Sequence, residues 1–441
     1  MKFSQFNSII PYSGKFALYN AFAQKVIFLD TDLKDILQAA IHEGVDELQH
    51  VHPSFYEYLV KKAFLVDNDV DEIEKVKQLS KSIDENPDSF ILTINPSMNC
   101  NFKCWYCYET HVKNSRLTPE MIDRINAFIT QTANQEGMNY FQLAFFGGEP
   151  LLYFQKEVVP LIDTYIRECR KNNLQTGISF TTNGYLINQE FIDYFNNNNI
   201  SCTLQITLDG YKEKHDLVRF VSANKGSYDK IIENVKLLIS NKFFVRLRIN
   251  YTDMNIEGSH LIAQEFDSIP YELRQQFLMM DYHRVWQNDA IDNTFLVLDN
   301  NVGKIQEMGV KVSSKYSPNS VRESCYADKR NSAVINYNGD LFKCTARDFT
   351  TAKRAGYLDS DGTLVWENDY LERRMNIKFK NKPCLSCKIM PLCNGGCSQH
   401  AMEHFESGSE YCVHSGDENE KMRIIKTKVD EIVNRVSAEK V

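Results

Sequence analysis

Residues 95–109 read NPSMNCNFKCWYCYE, placing Cys100, Cys104 and Cys107 in a C-x3-C-x2-C spacing. Three oxidisable thiols within eight residues need a chemical reason. An iron–sulfur cubane takes four thiolates for full coordination, so three on one short loop would hold three irons and leave the fourth open. An open metal position is how a site binds and activates something other than itself. The run just before, FILTIN (90–95), is apolar and of strand length, so the cysteine loop is expected to leave the end of a strand. Taken alone, the three thiols also suit a partial zinc site or free cysteines.

Working outward, strand-like and helix-like segments alternate from 90 to about 290. The strands are FILTIN, FQLAFF (141–146), GISFTT (177–182), CTLQITL (202–208), FFVRLRINY (243–251) and FLMMDYH (277–283). Amphipathic stretches such as PEMIDRINAFITQTA and YDKIIENVKLLIS lie between them, the first opened by a Thr118 cap and Pro119. Six apolar strands alternating with helices predict a parallel sheet, open or closed into a partial barrel, with functional loops at the strands' C-terminal ends.

Upstream, residues 1–70 read as a small α+β unit. KFALYNAF and KVIFLD are strands, and Thr31 or Asp32 caps a helix that puts Leu33, Ile36, Leu37 and Ala40 on one face. The polar run DNDVDEIEKVKQLSKSIDENPDS reads as a solvated helical linker. Beyond about 310 periodicity fades into cysteines, glycines and short polar loops, until a charged helix closes the chain.

The 441 residues allow two or three domains. A net charge of −8 with no basic stripe argues against a nucleic-acid partner. The N-terminus lacks a charged region followed by a long apolar run, and no apolar run approaches the ~20 residues of a membrane span. A cytoplasmic protein is expected, in which clustered cysteines are metal ligands or redox groups rather than disulfides. Cys169, in an amphipathic helix, and Cys202, opening a strand, read as buried apolar residues.

C-x3-C-x2-C with Tyr106 before the last cysteine resembles the signature of the radical S-adenosylmethionine (SAM) enzymes. The resemblance implies a 4Fe–4S cluster on Cys100, Cys104 and Cys107 whose open iron chelates SAM. One electron, from a reduced flavodoxin or ferredoxin-type donor, then yields a 5′-deoxyadenosyl radical that abstracts hydrogen from substrate. GGEP (Gly147 to Pro150), TTNG (Thr181 to Gly184) and TLDG (Thr207 to Gly210) follow the second, third and fourth strands, as that family's SAM-contacting loops do. Tyr106, Gly147, Gly148, Glu149, Asn183 and Thr207 are thereby implied as SAM-binding residues, although the family often has Ser where Thr207 stands.

The tail runs Cys325, Gly339, Cys344, then Cys384, Cys387, Cys393, Cys397 and Cys412. From the residues alone, its C-x2-C with two further cysteines also suits a zinc ribbon. The whole spacing resembles the SPASM domain, which carries two auxiliary iron–sulfur clusters. By that resemblance Cys384, Cys387, Cys393 and Cys412 ligate one, and Cys325, Cys344 and Cys397 the other. The implied architecture is α/β. A partial (β/α)6 TIM-like radical SAM barrel spans 90–310, with a leader-recognition-like α+β domain at 1–70 and a helical linker at 71–89. A SPASM domain spans 311–415, and a C-terminal helix 416–441.

SPASM relatives act mainly on peptides or proteins. The branch that oxidises sulfatases to formylglycine places an aspartate right after the Gly-x4-Cys cysteine. Here that residue is Thr345, and Asp348 lies three further on. The implied function is therefore maturation of a ribosomally made precursor peptide, by a thioether, carbon–carbon or related crosslink, with the leader held by the N-terminal domain. A sulfatase-maturase-like activity is the alternative. A non-catalytic iron–sulfur electron carrier and a zinc-stabilised interaction protein are alternatives of another class. His215, Asp216 and Arg219 either line the site or begin a solvated helix. Asp281, His283, Arg284 and Trp286, at the sixth strand's end, are candidates for the substrate cavity.

Overall fold

In the computed structural model, which describes residues 1–222, 225–287, 294–314 and 320–438, the chain forms two units. One comprises 1–86, 317–330 and 369–441, the other 87–316 and 331–368. The expected 311–415 segment is thus divided between them.

The first unit opens with an antiparallel meander of β1 (Asn7–Tyr12), β2 (Lys15–Asn20) and β3 (Lys25–Leu29). Ser13 and Gly14 both have positive φ (47° and 77°), the backbone a two-residue hairpin needs to match strand twist. The following helix, Thr31–Glu43, is capped by Asp30, whose carboxylate accepts the Leu33 N–H at 2.9 Å, rather than by Thr31 or Asp32. Its Leu37 and Ala40 pack with Leu18, Leu29, Leu59 and Phe64.

The polar run after residue 70 does form a helix, Glu72–Asp84, but not a solvated one. Val76 is fully buried in a core shared with Phe6, Tyr19, Ile389, Leu392 and Val429, and Cys384 and Cys393 belong to that core. The charges mislead because one of them, Asp84, is spent inside. Lys378 lies between Asp84 (2.7 Å) and Asp328 (2.8 Å), with all three side chains under 10% exposed.

The second unit is built on one large sheet. Its strands are β4 (Ser89–Asn95), β5 (Tyr140–Phe145), β6 (Gln175–Thr182), β7 (Thr203–Leu208), β8 (Phe244–Tyr251), β9 (Leu278–Arg284) and β10 (Lys311–Ser313). There follow β11 (Ser332–Asn336), β12 (Asp340–Phe342), β13 (Gly356–Leu358) and β14 (Leu364–Trp366). The order is β10-β9-β8-β7-β6-β5-β4-β11-β12-β13-β14, parallel from β10 to β11 and antiparallel beyond. Six of these eight parallel strands, β4 to β9, are those the alternation predicts. The three-residue strands of the last part were not anticipated, being too short to show a period. Cys344 follows the β11–β12 hairpin, which Gly339 turns with φ +85°.

Leu143, Phe145, Phe180, Leu204, Ile206, Val245 and Leu247 sit in the core with the helices. The alternate residues, among them Gln142, Ser179, Thr181, Gln205, Arg246 and Arg248, are less buried and polar. Side chains of a strand alternate in direction, so helices cover one face and the other is left polar. Loops leaving the C-terminal ends of β4 to β9 border that polar face.

Candidate active site

The cysteine loop leaves β4 and lies against the loop that leaves β5. A Cβ on Gly147 (φ +76°) would come within 2.7 Å of the Asn95 side chain, and one on Gly148 (φ +38°) would overlap the Asn99 carbonyl. Only glycine permits both the backbone angle and the approach. The Glu149 N–H then donates to Asn99 O at 2.9 Å, and the Gly148 N–H to Glu109 at 2.7 Å.

Glu149 has no exposed surface. Its carboxylate accepts the Thr182 hydroxyl at 2.7 Å, the Asn183 N–H at 2.9 Å and the Leu151 N–H at 3.0 Å. Burial pushes its pKa up against those three hydrogen bonds. The side chain therefore fastens GGEP to TTNG. The amide of Asn183 donates to Asn101 Oδ1 at 2.7 Å and lies 4.0 Å from Cys100 Sγ, which carries the link back to the cysteine loop.

The Tyr106 hydroxyl donates to Asp209 at 2.5 Å and accepts from Arg219 at 2.7 Å and from Asn250 at 3.0 Å. Arg219 Nε also pairs with Asp209. Behind them His215 Nδ1 accepts the Asp209 N–H at 3.2 Å, and Nε2 meets the Ser227 hydroxyl at 2.9 Å. Burial, then the Arg219 charge, holds the His215 pKa well below normal, so the ring is neutral with its proton on Nε2. His215 and Arg219 are thus buried structural members, not a solvated helix start. Asp216 accepts the N–H groups of Ser227 and Tyr228. Thr207 is buried on the polar face, in register with Arg248.

Burial pushes Cys100 to about 12 and Cys107 to about 11, and raises Cys104. The Cys104 thiol adds to the shift of each of the other two, so the three are near neighbours. In the first unit burial lifts Cys393 to about 12 and Cys384 to about 11, with Cys384, Cys387 and Cys412 acting on Cys393. That quartet also converges. Among the described residues no three Cys, His or carboxylate groups close to the spacing of one shared ion. Thiolates on the corners of a cluster stand wider apart than that, because the cluster body lies between them. Cys325 and Cys397 belong to the first unit and Cys344 to the second. Cys169 and Cys202 are buried.

A cluster with a chelated polar ligand also needs unmet polar groups and close backbone approach. Asn95, at the end of β4, has both Oδ1 and Nδ2 buried without a partner among the described residues, directly beneath Gly147. Buried amides left unmet are rare and need an explanation. Three neighbouring thiols beside a two-glycine loop with this amide below it suit such a group.

At the end of β9, Asp281 bonds His283 at 2.9 Å and Arg246 at 3.5 Å, while Arg284 lies 3.6 Å from Asp253. Trp286 is 61% exposed and meets Tyr108 edge-on at 5.5 Å. The Tyr108 hydroxyl donates to Thr345 O at 3.0 Å, and Asp348 accepts the Thr110 N–H at 2.9 Å.

Residues 94–257 match the model of the radical SAM superfamily. The chain carries a radical SAM domain over that stretch. This radical SAM chain is 26% identical over 366 residues to a cysteine-type anaerobic sulfatase-maturating enzyme of Clostridium novyi, covering 73% of this chain and 91% of the relative. It is 25% identical over 408 residues to the radical SAM cyclopropyl synthase TigE of Paramaledivibacter caminithermalis, covering 83% and 79%. Its fold resembles Streptococcus suis SuiB bound to the precursor peptide SuiA, with TM-score 0.51, 16% identity, and 93% and 98% coverage. It is thus related both to sulfatase maturases and to peptide-modifying enzymes, and the family implies SAM and a 4Fe–4S cluster. Among the described residues no helix is long and apolar enough to cross a membrane.

Reading motifs found the loops but passed over the residues that tie them together. Asp209 stood inside TLDG, two positions after the Thr207 chosen from it, and Glu109 followed the last cysteine by two. Asn95 and Asn250 carried no signal, since each is one polar residue at the end of an apolar strand.

Proposed function

We propose that this radical SAM chain matures a ribosomally made precursor peptide. Cys100, Cys104 and Cys107 hold the 4Fe–4S cluster. The backbone of Gly147, Gly148 and Glu149, with Tyr106, Asn183 and Thr207, seats SAM. The observation that carries this reading is the interlock of the cysteine loop with GGEP and, through Glu149 and Asn183, with TTNG. When bound, these groups supply a 5′-deoxyadenosyl radical that takes hydrogen from the substrate, and auxiliary clusters supply an electron acceptor.

The chain's own part is orientation. Glu149 is committed inward, so its loop meets SAM with backbone groups. Asp209 and Arg219 fix the Tyr106 ring, and Gln287 donates to the Tyr106 carbonyl at 2.8 Å, holding the cysteine loop from the β9 side. Cys384, Cys387, Cys393 and Cys412 hold an auxiliary cluster of SPASM type. A flavodoxin- or ferredoxin-type donor in the cytoplasm supplies the reducing electron.

A peptide substrate is supported by the N-terminal α+β segment, 1–70. Its outer strand β3 offers an edge to which an extended leader adds as a further strand, tethering the core segment at high effective concentration. On the other edge Pro11 in β1 lacks an N–H. TigE, the radical SAM cyclopropyl synthase, aligns with more of the chain than the sulfatase maturase does, 83% against 73%. Formylglycine formation is the second reading, favoured by the span of that maturase matched, 91%. Thr345, where that branch has an aspartate, counts against it.

The test is anaerobic incubation with SAM, reductant and either of two peptides. One is a short peptide encoded beside this gene, the other a copy of a sulfatase's modified segment. Mass spectrometry should find hydrogen loss with a crosslink in the first. Formylglycine in the second alone would establish the other reading.

A further inference from the structure

We propose that Arg248 binds a carboxylate of the substrate peptide on the polar face of the large sheet. This rests on the proposed function and names the chemistry its substrate must carry.

Arg248 lies in β8, in register between Thr207 of β7 and Asp281 of β9. Residues in register on parallel strands project from the same face, so all three border the polar face. The carboxylates around it are already engaged. Asp209 pairs with Arg219, Asp281 with Arg246 and His283, and Asp253 with Arg284. Glu149 and Glu109 accept backbone or hydroxyl hydrogen bonds instead. Arg248 has no carboxylate within ion-pair distance among the described residues. Among the described residues only its Nε is used, donating to Asn250 Oδ1 at 2.8 Å.

A guanidinium stays charged, and burial works against that charge here. A partly buried, unmatched cation is unfavourable unless a ligand completes it. The planar fork of its two terminal nitrogens fits a carboxylate through two parallel hydrogen bonds. Its direction is set as well, because Asn250, which holds Nε, also donates to the Tyr106 hydroxyl at 3.0 Å. The fork is therefore indexed to the cysteine loop. A peptide carboxylate seated on it would hold a neighbouring residue close to that loop. The carboxylate comes either from an Asp or Glu side chain or from the peptide's C-terminus.

Three glycine-based tripeptides are the probes. One is blocked at both ends with a central glutamate, one is blocked with a central glutamine, and one has a free C-terminal carboxylate. Binding to the anaerobically loaded protein with SAM is read by saturation-transfer NMR titration. At least one carboxylate probe should bind about tenfold or more tightly than the glutamine probe, and the better one identifies the source. Arg248→Gln should erase the preference, and Arg248→Lys should keep only part of it. The proposal is overturned if wild type shows no preference, if the preference survives Arg248→Gln, or if that change weakens SAM binding as much as peptide binding. The wild-type comparison stands even if a variant fails to load iron. Release of 5′-deoxyadenosine from SAM without peptide tests the proposed function separately.

Discussion

No side-chain carbon fits between Gly148 and the carbonyl of Asn99, so the GGEP loop and the cysteine loop lie backbone to backbone. Gly148→Ala must part the two loops. Thermal unfolding should show a loss of more than about 1 kcal/mol, together with weaker SAM binding. Gly137→Ala, at φ +82° with nothing within 4 Å of the added carbon, should cost stability without affecting SAM.

Glu149 makes the complementary prediction. Glu149→Ala leaves three buried donors unsatisfied, at about 1–3 kcal/mol for each group not rescued by water. Glu149→Gln keeps a carbonyl oxygen to accept and should lose less. Iron content after anaerobic loading would rank wild type above Gln above Ala, and equal content in all three would rule out a bracing role.

Stability should fall as pH rises through the range set by Glu157. Burial pushes this carboxyl from 4.5 to about 7, against the Leu117 N–H that it accepts at 3.1 Å. The folded state then binds more protons than the unfolded state between those values. Its stabilising contribution is complete below pH 4.5 and is lost as pH climbs to about 7. The loss over the whole range is on the order of 3 kcal/mol. Comparing thermal midpoints between pH 5.5 and 8, Glu157→Gln should flatten the slope, and an unchanged slope would assign it elsewhere.

In the first unit, Lys378→Met would strand Asp84 and Asp328 as buried like charges. Breaking such a pair from one side costs about 3–5 kcal/mol. The first unit should unfold earlier on heating, with Lys378→Arg intermediate. A Met variant as stable as wild type would mean that water reaches both carboxylates.

How much of this was legible follows from where each signal lies. Six of the parallel strands, β4 to β9, showed because each is long enough to alternate with an amphipathic helix. β12 to β14 did not, because each is only three residues long, and β11, five residues long, has no amphipathic helix beside it in sequence to set off an alternation. GGEP, TTNG and TLDG stood out through glycines placed right after the strands, where positive φ angles that other residues adopt at a cost are needed. For Arg219 and His215 the sequence left two readings, lining the site or beginning a solvated helix, since only the fold brings Asp209 and Tyr106 to them. The helix Glu72–Asp84 was misjudged for the same reason. Its composition is polar, but Val76 and Asp84 find partners far along the chain, which local pattern cannot show.

The most direct test is the fate of SAM. Anaerobically loaded protein given a strong one-electron reductant should release 5′-deoxyadenosine. Cys100→Ala, Cys104→Ala and Cys107→Ala together should abolish that release while iron–sulfur absorbance from the remaining cysteines persists. Reduced wild-type protein that carries its iron yet leaves SAM intact, or a triple variant that still cleaves it, would contradict the account.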